Sequence, residues 1–482
     1  MYHAMSELQS NLRLSGYRKP MVLVHNSGGM AHLNSTDALQ TVHSGPVAGI
    51  HAAEALERRS NLGNIVATDM GGTSFDIGIV VEGGVKHYDF NPVIDRWLVT
   101  IPMVHLNTLG AGGGSIARFD PISNTVAIGP DSAGSDPGPA CFNRGGRHPT
   151  VTDADLLLGY LDETNYAGGS IKLNPRRAKS AFADLCETLD MELIDVAKLV
   201  KRRADGNMAV GIVSELGAKG YNTSDFTMLA YGGNGPMHCC GIAAAAKINR
   251  VLVPPFSSVF SAFGAGGMTQ LHIHESAYLT PAYNSSTRTI LEDLQSINDV
   301  IAGLEDKGRR DLLRQGVEDG RIRHRLELDI RYGSQTVETA VVVAKNRFET
   351  QSDVLALIAQ HREDYERRFG RNAPAPETGV WITVLRVASY VEPDPLDVSS
   401  LQPEPGTTLR PEPVATRLCH FPGADGPVET PVYDGLALQR GVRLQGPAIV
   451  NPGETTYVVE PGWTLDAIGE GGAWMTRTEG ED

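Results

Sequence analysis

The amino-acid sequence predicts an α/β protein whose C-terminal part is mainly β. Residues 65–80 alternate like two strands around a glycine turn, and residues 226–255 follow the order strand, helix, strand. A strand–helix–strand succession implies a parallel crossover connection, which is typical of α/β sheets. From Val432 to Met475, short apolar runs alternate with turn residues, as in a β domain.

The first glycine turn lies in the segment Asp69–Asp76, which has the sequence DMGGTSFD. A glycine turn allows backbone N–H groups to approach an anion and to converge on it. Asp69 and Asp76 carry the same charge as a phosphate, so they face one only through a bound Mg²⁺ or a bridging water. The segment is not a P-loop, because no Lys follows the glycines and a strand replaces the helix. An ordinary Gly-Gly hairpin remains an alternative at this point.

A second glycine segment, Gly232–Pro236, separates a predicted strand from an alanine-rich predicted helix and is called the GGNGP loop. Ligands of open α/β sheets bind at the carboxyl ends of strands, where this loop falls. The helix that begins at Pro236 offers N–H donors and a positive dipole at its amino end. His238, which follows, is expected to be a buried core residue. A third segment, the GAGGG loop (Gly110–Gly114), either lets the backbone pass close to a ligand or forms a flexible turn.

Composition narrows the classes of function. The 482 residues carry a net charge of −15, which argues against non-specific binding to nucleic acid or to an anionic membrane. No apolar run approaches the ~20 residues of a membrane span, and the N-terminus lacks the layout of a signal peptide. The five cysteines show no CxxC spacing, so reduced thiols are expected. We therefore expect a soluble, cytoplasmic protein.

Length and composition predict about three domains. Residues 1–270 contain the three glycine segments, and residues 271–390 combine charged amphipathic helices with alternating strands. A proline-rich stretch from about Val391 to Thr416 is typical of a linker, so residues 391–482 are interpreted as a linker and a β domain. We predict domain boundaries after residues 270 and 390.

Four segments point together to one known family. They are DMGGTSFD (69–76), HLNTLGAGGGS (105–115), residues 134–141 with PTVTDA (149–154), and YGGNGPMH (231–238) followed by Val253–Phe256. In this order and spacing they resemble the hydantoinase A / 5-oxoprolinase family, which includes subunits of ATP-dependent acetone and acetophenone carboxylases. A C-terminal GPAIV (446–450) with Pro461-Gly462-Trp463 is similar to the last domain of that family. The resemblance covers nearly the whole chain.

The resemblance implies an actin-like ATPase (ribonuclease-H-like) superfold, in which ATP lies in a cleft between two α/β domains. It makes the first glycine turn a phosphate loop, with Asp69 as a catalytic residue that orders Mg²⁺ through water at the γ-phosphate. The GGNGP loop then lies against the adenosine. His105 is the second predicted catalytic residue, as a proton carrier or metal ligand, although a lone His is more often structural. The predicted cofactor-binding residues are Gly71, Gly72, Thr73, Ser74, Asp76, Gly112, Gly113, Gly232, Gly233, Asn234 and Gly235.

One departure from the family pattern is large. Full-length members begin with a further domain that carries its own glycine turn as the first phosphate loop, and no such turn precedes residue 69. The superfold is therefore expected to lack most of its first domain. A separate subunit that supplies the missing part, a short paralogue that no longer binds ATP, and a cut chain are the three explanations. We favour the separate subunit and expect the chain to be inactive alone.

Two classes of function remain. The first is a subunit of an ATP-dependent ketone carboxylase of the acetone or acetophenone type, which phosphorylates an enolate or carbonyl oxygen before carboxylation. Its alternative within the family is a subunit that hydrolyses hydantoin, 5-oxoproline or another lactam. The resemblance implies a hydantoinase B-like partner subunit, a small ketone or cyclic amide as substrate, and a transition metal (Zn or Mn) in the complex. The second class is a non-catalytic paralogue that organises such a complex.

Two further groups of residues are weaker candidates for metal binding. His148, Asp153 and Asp155 form a polar cluster in the sequence. His272 and His274 alternate along a predicted strand, so their side chains are expected to face the same side. A structural role is the alternative for each group.

Overall fold

The structure is a computed structural model that describes residues 1–19, 21–81, 85–86, 88–89, 92–94, 96–99, 101, 103–333, 335, 338–391, 401, 409 and 411–478. Its helices are, in chain order, α1 (Tyr2–Leu14), α2 (Ser44–Ser60), α3 (Val151–Leu157), α4 (Pro175–Leu189), α5 (Leu193–Ala218), α6 (Gly235–Ala246), α7 (Phe260–Gly267), α8 (Leu294–Arg314) and α9 (Gln351–Phe369). Among these described helices, none combines the length and the hydrophobicity that a bilayer span requires.

The strands are short except in the middle of the chain. In chain order they are β1 (Val22–Val24), β2 (Met30–His32), β3 (Ile65–Met70), β4 (Phe75–Val81), β5 (Val85–Lys86), β6 (Tyr88–Asp89), β7 (Val93–Ile94), β8 (Trp97–Leu98), β9 (Met103–Val104), β10 (Leu106–Leu109), β11 (Ser115–Asp120), β12 (Thr125–Ser132), β13 (Thr227–Tyr231), β14 (Arg250–Val253), β15 (Leu271–Asn284), β16 (Thr289–Ile290), β17 (Ile322–Tyr332), β18 (Thr339–Val343), β19 (Val380–Val391), β20 (Ala415–Cys419), β21 (Val428–Asp434), β22 (Arg443–Gln445), β23 (Ala448–Asn451), β24 (Tyr457–Val459), β25 (Trp463–Gly469) and β26 (Gly472–Arg477).

The chain groups into two compact units. The first unit contains residues 1–47, 88–104 and 267–395, and the second unit contains residues 48–87, 105–266 and 396–482. Most of the predicted linker between Val391 and Thr416 lies outside the described residues. The predicted domain boundaries after residues 270 and 390 stay a prediction.

The first unit is built on an antiparallel sheet of five strands, in the order β16-β15-β19-β17-β18. Apolar side chains of α8 and α9, such as Ile301 and Leu357, share one buried cluster with side chains of the sheet, such as Leu328 and Leu385. Amphipathic helices bury one apolar stripe in this way. The combination of amphipathic helices and strands expected between residues 271 and 390 is confirmed.

The second unit contains a nine-stranded sheet in which β5 pairs with β4 beside the path β10-β4-β3-β13-β14-β26-β25-β22. The central strands β3, β13 and β14 are parallel, and the flanking pairs are antiparallel. Helix α6 connects β13 to β14, so the parallel crossover predicted for residues 226–255 is confirmed. The C-terminal strands β22, β25 and β26 extend the same sheet that carries the first glycine turn.

The central strands are buried along their length, which suits their sequences. Strand β13 is buried at every position, and β3 is buried at every position except Asp69. Continuous apolar runs are typical of parallel strands that are covered on both faces. Because β3 and β13 run in the same direction, the loops that follow them lie at the same edge of the sheet.

Candidate functional site

Two of the three glycine loops meet at this edge of the sheet. The register of β3 and β13 pairs Asp69 with Tyr231, so the first glycine turn and the GGNGP loop begin at the same level. Asn234 joins them, because its backbone N–H donates to Met70 O at 3.0 Å and its Nδ2 donates to Gly71 O at 3.0 Å. The structure therefore brings the residues predicted to bind phosphate next to those predicted to bind adenosine.

The GAGGG loop packs against the first glycine turn and donates hydrogen bonds to its carbonyl groups. Gly113 N–H donates to Gly71 O at 3.1 Å, and Gly114 N–H donates to Gly72 O at 2.7 Å. A Cβ at Gly112 would lie 2.8 Å from Gly71 O, so only a glycine permits this approach. Gly112 and Gly113 are buried, and the predicted ligand contact of these two residues stays a prediction. Their glycine identity is explained by packing against the turn.

The tip of the first glycine turn presents N–H groups to solvent. Gly72 and Thr73 are exposed, and so is Gly233 of the GGNGP loop. Within the part of the chain that the structure describes, the backbone N–H of each of these residues has no protein acceptor. Glycine turns with several unpaired N–H groups are typical of anion sites. The arrangement is suited to a phosphate group.

Two carboxylates stand beside these N–H groups. The register of β3 and β4 places Asp69 opposite Asp76. Asp69 Oδ2 accepts a hydrogen bond from Ser261 Oγ at 3.1 Å, and Asp76 Oδ1 accepts one from Thr108 Oγ1 at 2.6 Å. Burial raises the pKa of Asp69 to about 6 against the effect of the Ser261 hydrogen bond, and the charge of Asp76 adds to the rise.

This carboxylate pair fits a divalent cation that is bound together with a phosphate. The raised pKa of Asp69 reflects a negative charge that burial and a second carboxylate disfavour, which a cation would relieve. Mg²⁺ typically binds one or two carboxylates and completes its shell with water and phosphate oxygens. Asp69 and Asp76 are the residues that would hold Mg²⁺ in this site.

Gly232 brings the GGNGP loop against Asp69. Its φ is +84°, and a Cβ at this position would lie 2.3 Å from Asp69 Oδ1 and 2.6 Å from Met70 O. A positive φ and a close backbone approach both require glycine. The identity of Gly232 is therefore set by its proximity to the carboxylate.

A small cavity of about 100 Å³ adjoins the GGNGP loop. Its wall combines the apolar side chains of Leu161, Tyr166 and Met237 with polar groups of the segment 451–456. Thr455 Oγ1 donates to Gly233 O at 2.9 Å and so attaches that segment to the loop. Apolar walls with a few polar groups are typical of small-molecule sites.

His105 lies apart from the loops. Strand β10 pairs Leu106 with Gly78 and Thr108 with Asp76. His105 is therefore three residues along the strand from the level of Asp76, or about 10 Å at the rise of a β-strand. Its Nε2 bonds to Glu215 Oε1 of α5 at 2.6 Å. The structure does not bring His105 to the glycine turn, and its catalytic role stays a prediction without geometric support.

The pairing of His105 with Glu215 predicts a pH-dependent contribution to stability. Burial alone raises the pKa of Glu215, but the hydrogen bond and charge of His105 and the charge of Lys219 hold it at about 2. Because the pKa in the folded state lies below the usual glutamate value of 4.5, this contribution is complete above pH 4.5 and is lost as the pH falls toward 2. We expect His105→Gln to lower the melting temperature at pH 7, with a difference from wild type that shrinks below about pH 4.5. A difference that is the same at pH 3 and pH 7 would contradict this explanation.

His148, Asp153 and Asp155, the first group of weaker metal candidates, do not face a common point. Each carboxylate bonds to other protein groups instead. Asp153 accepts hydrogen bonds from the backbone N–H groups of Ala140, Cys141 and Thr150. Asp155 Oδ2 bonds to His238 Nε2 at 3.2 Å, and His148 is exposed. These residues do not form the polar cluster that the sequence suggested.

His272 and His274 behave as a structural pair. Their rings are nearly parallel, with centroids 6.5 Å apart, and His274 Nε2 bonds to Asp311 Oδ2 at 3.0 Å. Among the residues that the structure describes, no group of three or more His, Cys, Asp or Glu side chains is arranged to hold a metal ion. A transition metal in a complex, Zn or Mn, stays a prediction.

Sequence reasoning missed several residues that position the site. Ser261 and Thr108 donate to the two carboxylates across sequence separations of 192 and 32 residues. Thr152 Oγ1 and its backbone N–H both donate to Gly113 O at 2.8 Å, which attaches α3 to the GAGGG loop. The sequence contains no local signal for such contacts, because the pairing of distant strands and helices creates them.

The bond of Thr152 to the GAGGG loop predicts a modest loss of stability. Thr152 is buried, and valine has nearly the same shape without the hydroxyl. We expect Thr152→Val to cost about 1 kcal/mol in the free energy of unfolding, because one buried hydrogen bond is lost while Gly113 O keeps its N–H donor. Urea denaturation of the chain measures the effect, and Thr152→Ser, which keeps the hydroxyl, is the matched control. A loss of stability in Thr152→Ser with no loss in Thr152→Val would show that the methyl group matters and the hydroxyl does not.

The fold and the site together define a mixed α/β protein whose glycine loops and paired carboxylates suit a magnesium-bound phosphate. A sequence profile described as hydantoinase/oxoprolinase matches residues 1–272, and a profile described as the hydantoinase/oxoprolinase C-terminal domain matches residues 284–467. The chain belongs to the hydantoinase/oxoprolinase family, and the resemblance noted in its motifs is confirmed.

Known relatives are similar over most of the chain. The acetophenone carboxylase gamma subunit of Aromatoleum aromaticum is 35% identical over 453 residues, which cover 93% of this chain and 61% of that subunit. The caprolactamase subunit alpha of Pseudomonas jessenii is 30% identical over 457 residues, which cover 93% of this chain and 64% of that subunit. The chain thus spans less than two thirds of the length of these curated relatives.

A solved structure has the same fold. The crystal structure of the ATP-dependent caprolactamase from Pseudomonas jessenii matches with a TM-score of 0.82 and 28% identity, over 99% of this chain and 68% of that chain. The predicted mixed α/β fold is therefore confirmed. Its assignment to the actin-like ATPase superfold stays a prediction.

Proposed function

We propose that this chain is a subunit of an ATP-dependent ketone carboxylase of the acetone or acetophenone type, in which it takes part in phosphorylating an enolate or carbonyl oxygen. The observation that carries the proposal is the convergence of the first glycine turn, the GAGGG loop and the GGNGP loop beside Asp69. The similarity to an acetophenone carboxylase gamma subunit supports a ketone as the substrate.

In this proposal the first glycine turn binds the phosphates. The N–H groups of Gly72, Thr73 and Ser74 surround phosphate oxygens, and Asp69, with Asp76 beside it, would hold Mg²⁺. Bound Mg²⁺ would supply neutralisation of the charge on the transferring phosphoryl group. The substrate oxygen attacks the γ-phosphorus, the bond from that phosphorus to the ADP oxygen breaks, and ADP leaves. The protein contributes mainly positioning and electrostatic stabilisation.

The GGNGP loop holds the nucleoside in the same proposal. Gly233 and Asn234 border the cavity of about 100 Å³, whose apolar walls suit the adenine ring. Gly235 begins α6, whose amino end offers a positive dipole to the phosphates. These features support an actin-like ATPase superfold that lacks most of its first domain.

We further propose that the active enzyme is a complex. A hydantoinase B-like subunit and a subunit that supplies the other phosphate loop are the expected partners, and a transition metal belongs to the complex rather than to the described part of this chain. The unpaired N–H groups at the tip of the turn, which face solvent, support a ligand shared with another surface. The chain is then inactive alone.

A cyclic amide hydrolase is the second candidate. The similarity to a caprolactamase subunit and to the caprolactamase structure supports it. Phosphorylating a lactam oxygen activates the ring for opening by the same use of ATP. The geometry of the glycine loops is compatible with both reactions. The identity of the substrate therefore distinguishes the carboxylase from the hydrolase.

A substrate panel with the native complex tests the proposal. The tagged chain is purified with the proteins bound to it, and ATP hydrolysis is measured with bicarbonate plus acetone or acetophenone, and separately with caprolactam, hydantoin or 5-oxoproline. Stimulation by a ketone with bicarbonate is expected. Stimulation of ATP hydrolysis by a cyclic amide, and not by a ketone, would identify the protein as a subunit of a cyclic amide hydrolase. A complex that neither binds nor hydrolyses ATP would identify a non-catalytic paralogue.

A further inference from the structure

A network of buried charged side chains connects helices α3, α5 and α6 of the second unit. His238 of α6 bonds through Nδ1 to Asp205 Oδ1 of α5 at 2.6 Å, and through Nε2 to Asp155 Oδ2 of α3 at 3.2 Å. Asp205 Oδ2 accepts from Lys201 Nζ at 2.5 Å, and Lys201 Nζ lies 3.7 Å from Glu460 Oε1. His238, Asp155 and Lys201 are completely buried, and Asp205 is 4% exposed.

Both partners of the central ion pair belong to helices that contact a glycine loop at their amino end. Asp155 lies one turn after Thr152, which donates to Gly113 O of the GAGGG loop. His238 lies one turn after Asn234, which donates to Met70 O and Gly71 O. The contact between His238 and Asp155 therefore connects α3 to α6 directly behind the loops that these helices support.

The arrangement requires the charged form of His238. A neutral imidazole has one donor nitrogen, whereas both nitrogens of His238 face a carboxylate oxygen that accepts. Burial and the nearby Lys201 lower the pKa of His238, but Asp155 and Asp205 outweigh them, and the pKa is raised above its usual value. Glu460 is the remaining charged group of the network and borders Lys201 on the far side.

We infer that His238 is a positioning residue of the glycine-loop site, whose imidazolium form fixes α6 against α3 and so holds the GAGGG loop and the GGNGP loop at a set separation. Neither the family assignment nor the proposed phosphate chemistry gives His238 this role. The effect of His238 on the mobility of the two loops is a property of the chain without ligand. Its effect on nucleotide affinity rests on the proposed function.

Amide hydrogen exchange of the ligand-free chain tests the first part. We compare His238→Gln with His361→Gln, which also removes a completely buried histidine but lies on α9 of the other unit. His238→Gln is expected to speed exchange in peptides that contain Gly113 and Asn234 by roughly tenfold relative to peptides of β13, as loss of one charged hydrogen bond predicts. His361→Gln is expected to leave that ratio unchanged.

Two further measurements separate positioning from general destabilisation. In the wild type, protection of the loop amides relative to β13 is expected to fall as the pH rises and His238 loses its proton, and His238→Gln is expected to remove this dependence. Asp155→Asn keeps the shape of the side chain and removes one carboxylate, so it is expected to loosen the same loops if His238→Gln does not fold. Loop protection that is unchanged in both variants, or that changes equally in His361→Gln, would overturn the inference.

Steady-state kinetics of the complete complex test the second part. His238→Gln is expected to raise the KM for ATP by about tenfold and to change kcat less, because the loops are displaced while the residues of the phosphate turn remain. A wild-type complex without ATP hydrolysis would refute the proposed function, and the exchange ratios would still decide the role of His238. Loops that loosen without any rise in KM would refute the link between loop spacing and nucleotide affinity.

Discussion

Asp69→Asn is expected to remove ATP hydrolysis from the complex while it makes the chain itself more stable. The loss follows from the proposed role of Asp69 at the phosphates, where a neutral amide orders Mg²⁺ and water poorly. A reduction of kcat by at least about a hundredfold is the usual consequence of losing one preorganised electrostatic group at a reacting centre. The amide keeps the size of the side chain and still accepts a hydrogen bond from Ser261, so the loop is expected to stay in place.

The gain in stability follows from the pKa of Asp69. Burial raises this pKa from 3.8 to about 6, so ionisation of Asp69 opposes folding. The folded state holds the proton more tightly than the unfolded state, and stability is therefore lost as the pH rises from about 4 to about 6. Asp69→Asn removes this penalty, which is worth about 3 kcal/mol above pH 6.

Two measurements check the Asp69 prediction together. Thermal denaturation of the chain in metal-free buffer is expected to give a higher melting temperature for Asp69→Asn at pH 8 and no difference at pH 4. ATP hydrolysis by the complex is measured on the same variant. Asp131→Asn, which neutralises an exposed carboxylate, is the control and is expected to change neither quantity. A variant that keeps wild-type ATP hydrolysis would refute the role given to Asp69.

Arg386→Met is expected to cause the largest loss of stability in the first unit. The Arg386 side chain is completely buried, and its Nη2 and Nη1 donate to the two oxygens of Asp329 at 2.8 and 3.2 Å. Glu275 and Glu327 lie within 3.4 and 3.8 Å of the same guanidinium. Removing one partner of a buried ion pair leaves an uncompensated charge and typically costs about 3–5 kcal/mol. Glu327 keeps a second cation, Arg325 at 2.7 Å, but Asp329 is buried and makes two bonds to Arg386, so we expect a loss within that range.

Chemical denaturation measured by far-UV circular dichroism checks this expectation. Arg347→Met is the matched control, because Arg347 also pairs with a carboxylate, Glu305, but its side chain is 41% exposed. Exposed pairs contribute about 1 kcal/mol or less. The double variant Arg386→Met with Asp329→Met is expected to recover part of the loss, because it also removes the buried charge of Asp329, whereas Glu275 and Glu327 remain. Equal effects of Arg386→Met and Arg347→Met would contradict the importance of burial.

The sequence was most informative where the residues of one binding element are neighbours along the chain. The first glycine turn and the GGNGP loop each consist of neighbouring residues, and their glycines and carboxylates carry the signal without reference to the rest of the fold. The parallel crossover was equally predictable, because strand and helix patterns follow one another along residues 226–255. The resemblance to the family was also visible in short segments of this kind, and the family profile matches residues 1–272.

Sequence reasoning was least informative where distance along the chain does not equal distance in space. His105 is five residues from the GAGGG loop in sequence, but an extended strand carries it about 10 Å from the level of Asp76. Ser261, by contrast, is 192 residues from Asp69 and bonds to it. His238 was expected to be a plain core residue, and its partners Asp155 and Asp205 come from two other helices.

The sequence by itself determined which groups this protein has for binding an anion: glycine turns with accessible N–H groups, a carboxylate at each side of the first turn, and a helix start after the second. Only the tertiary structure decided that these groups meet. The parallel register of β3 and β13 sets Asp69 level with Tyr231, and buried contacts of Asn234 and Gly113 then connect the three loops. The physical reason is that local chemistry is encoded by adjacent residues, whereas the spacing of loops depends on sheet pairing and buried polar contacts between segments far apart in the chain.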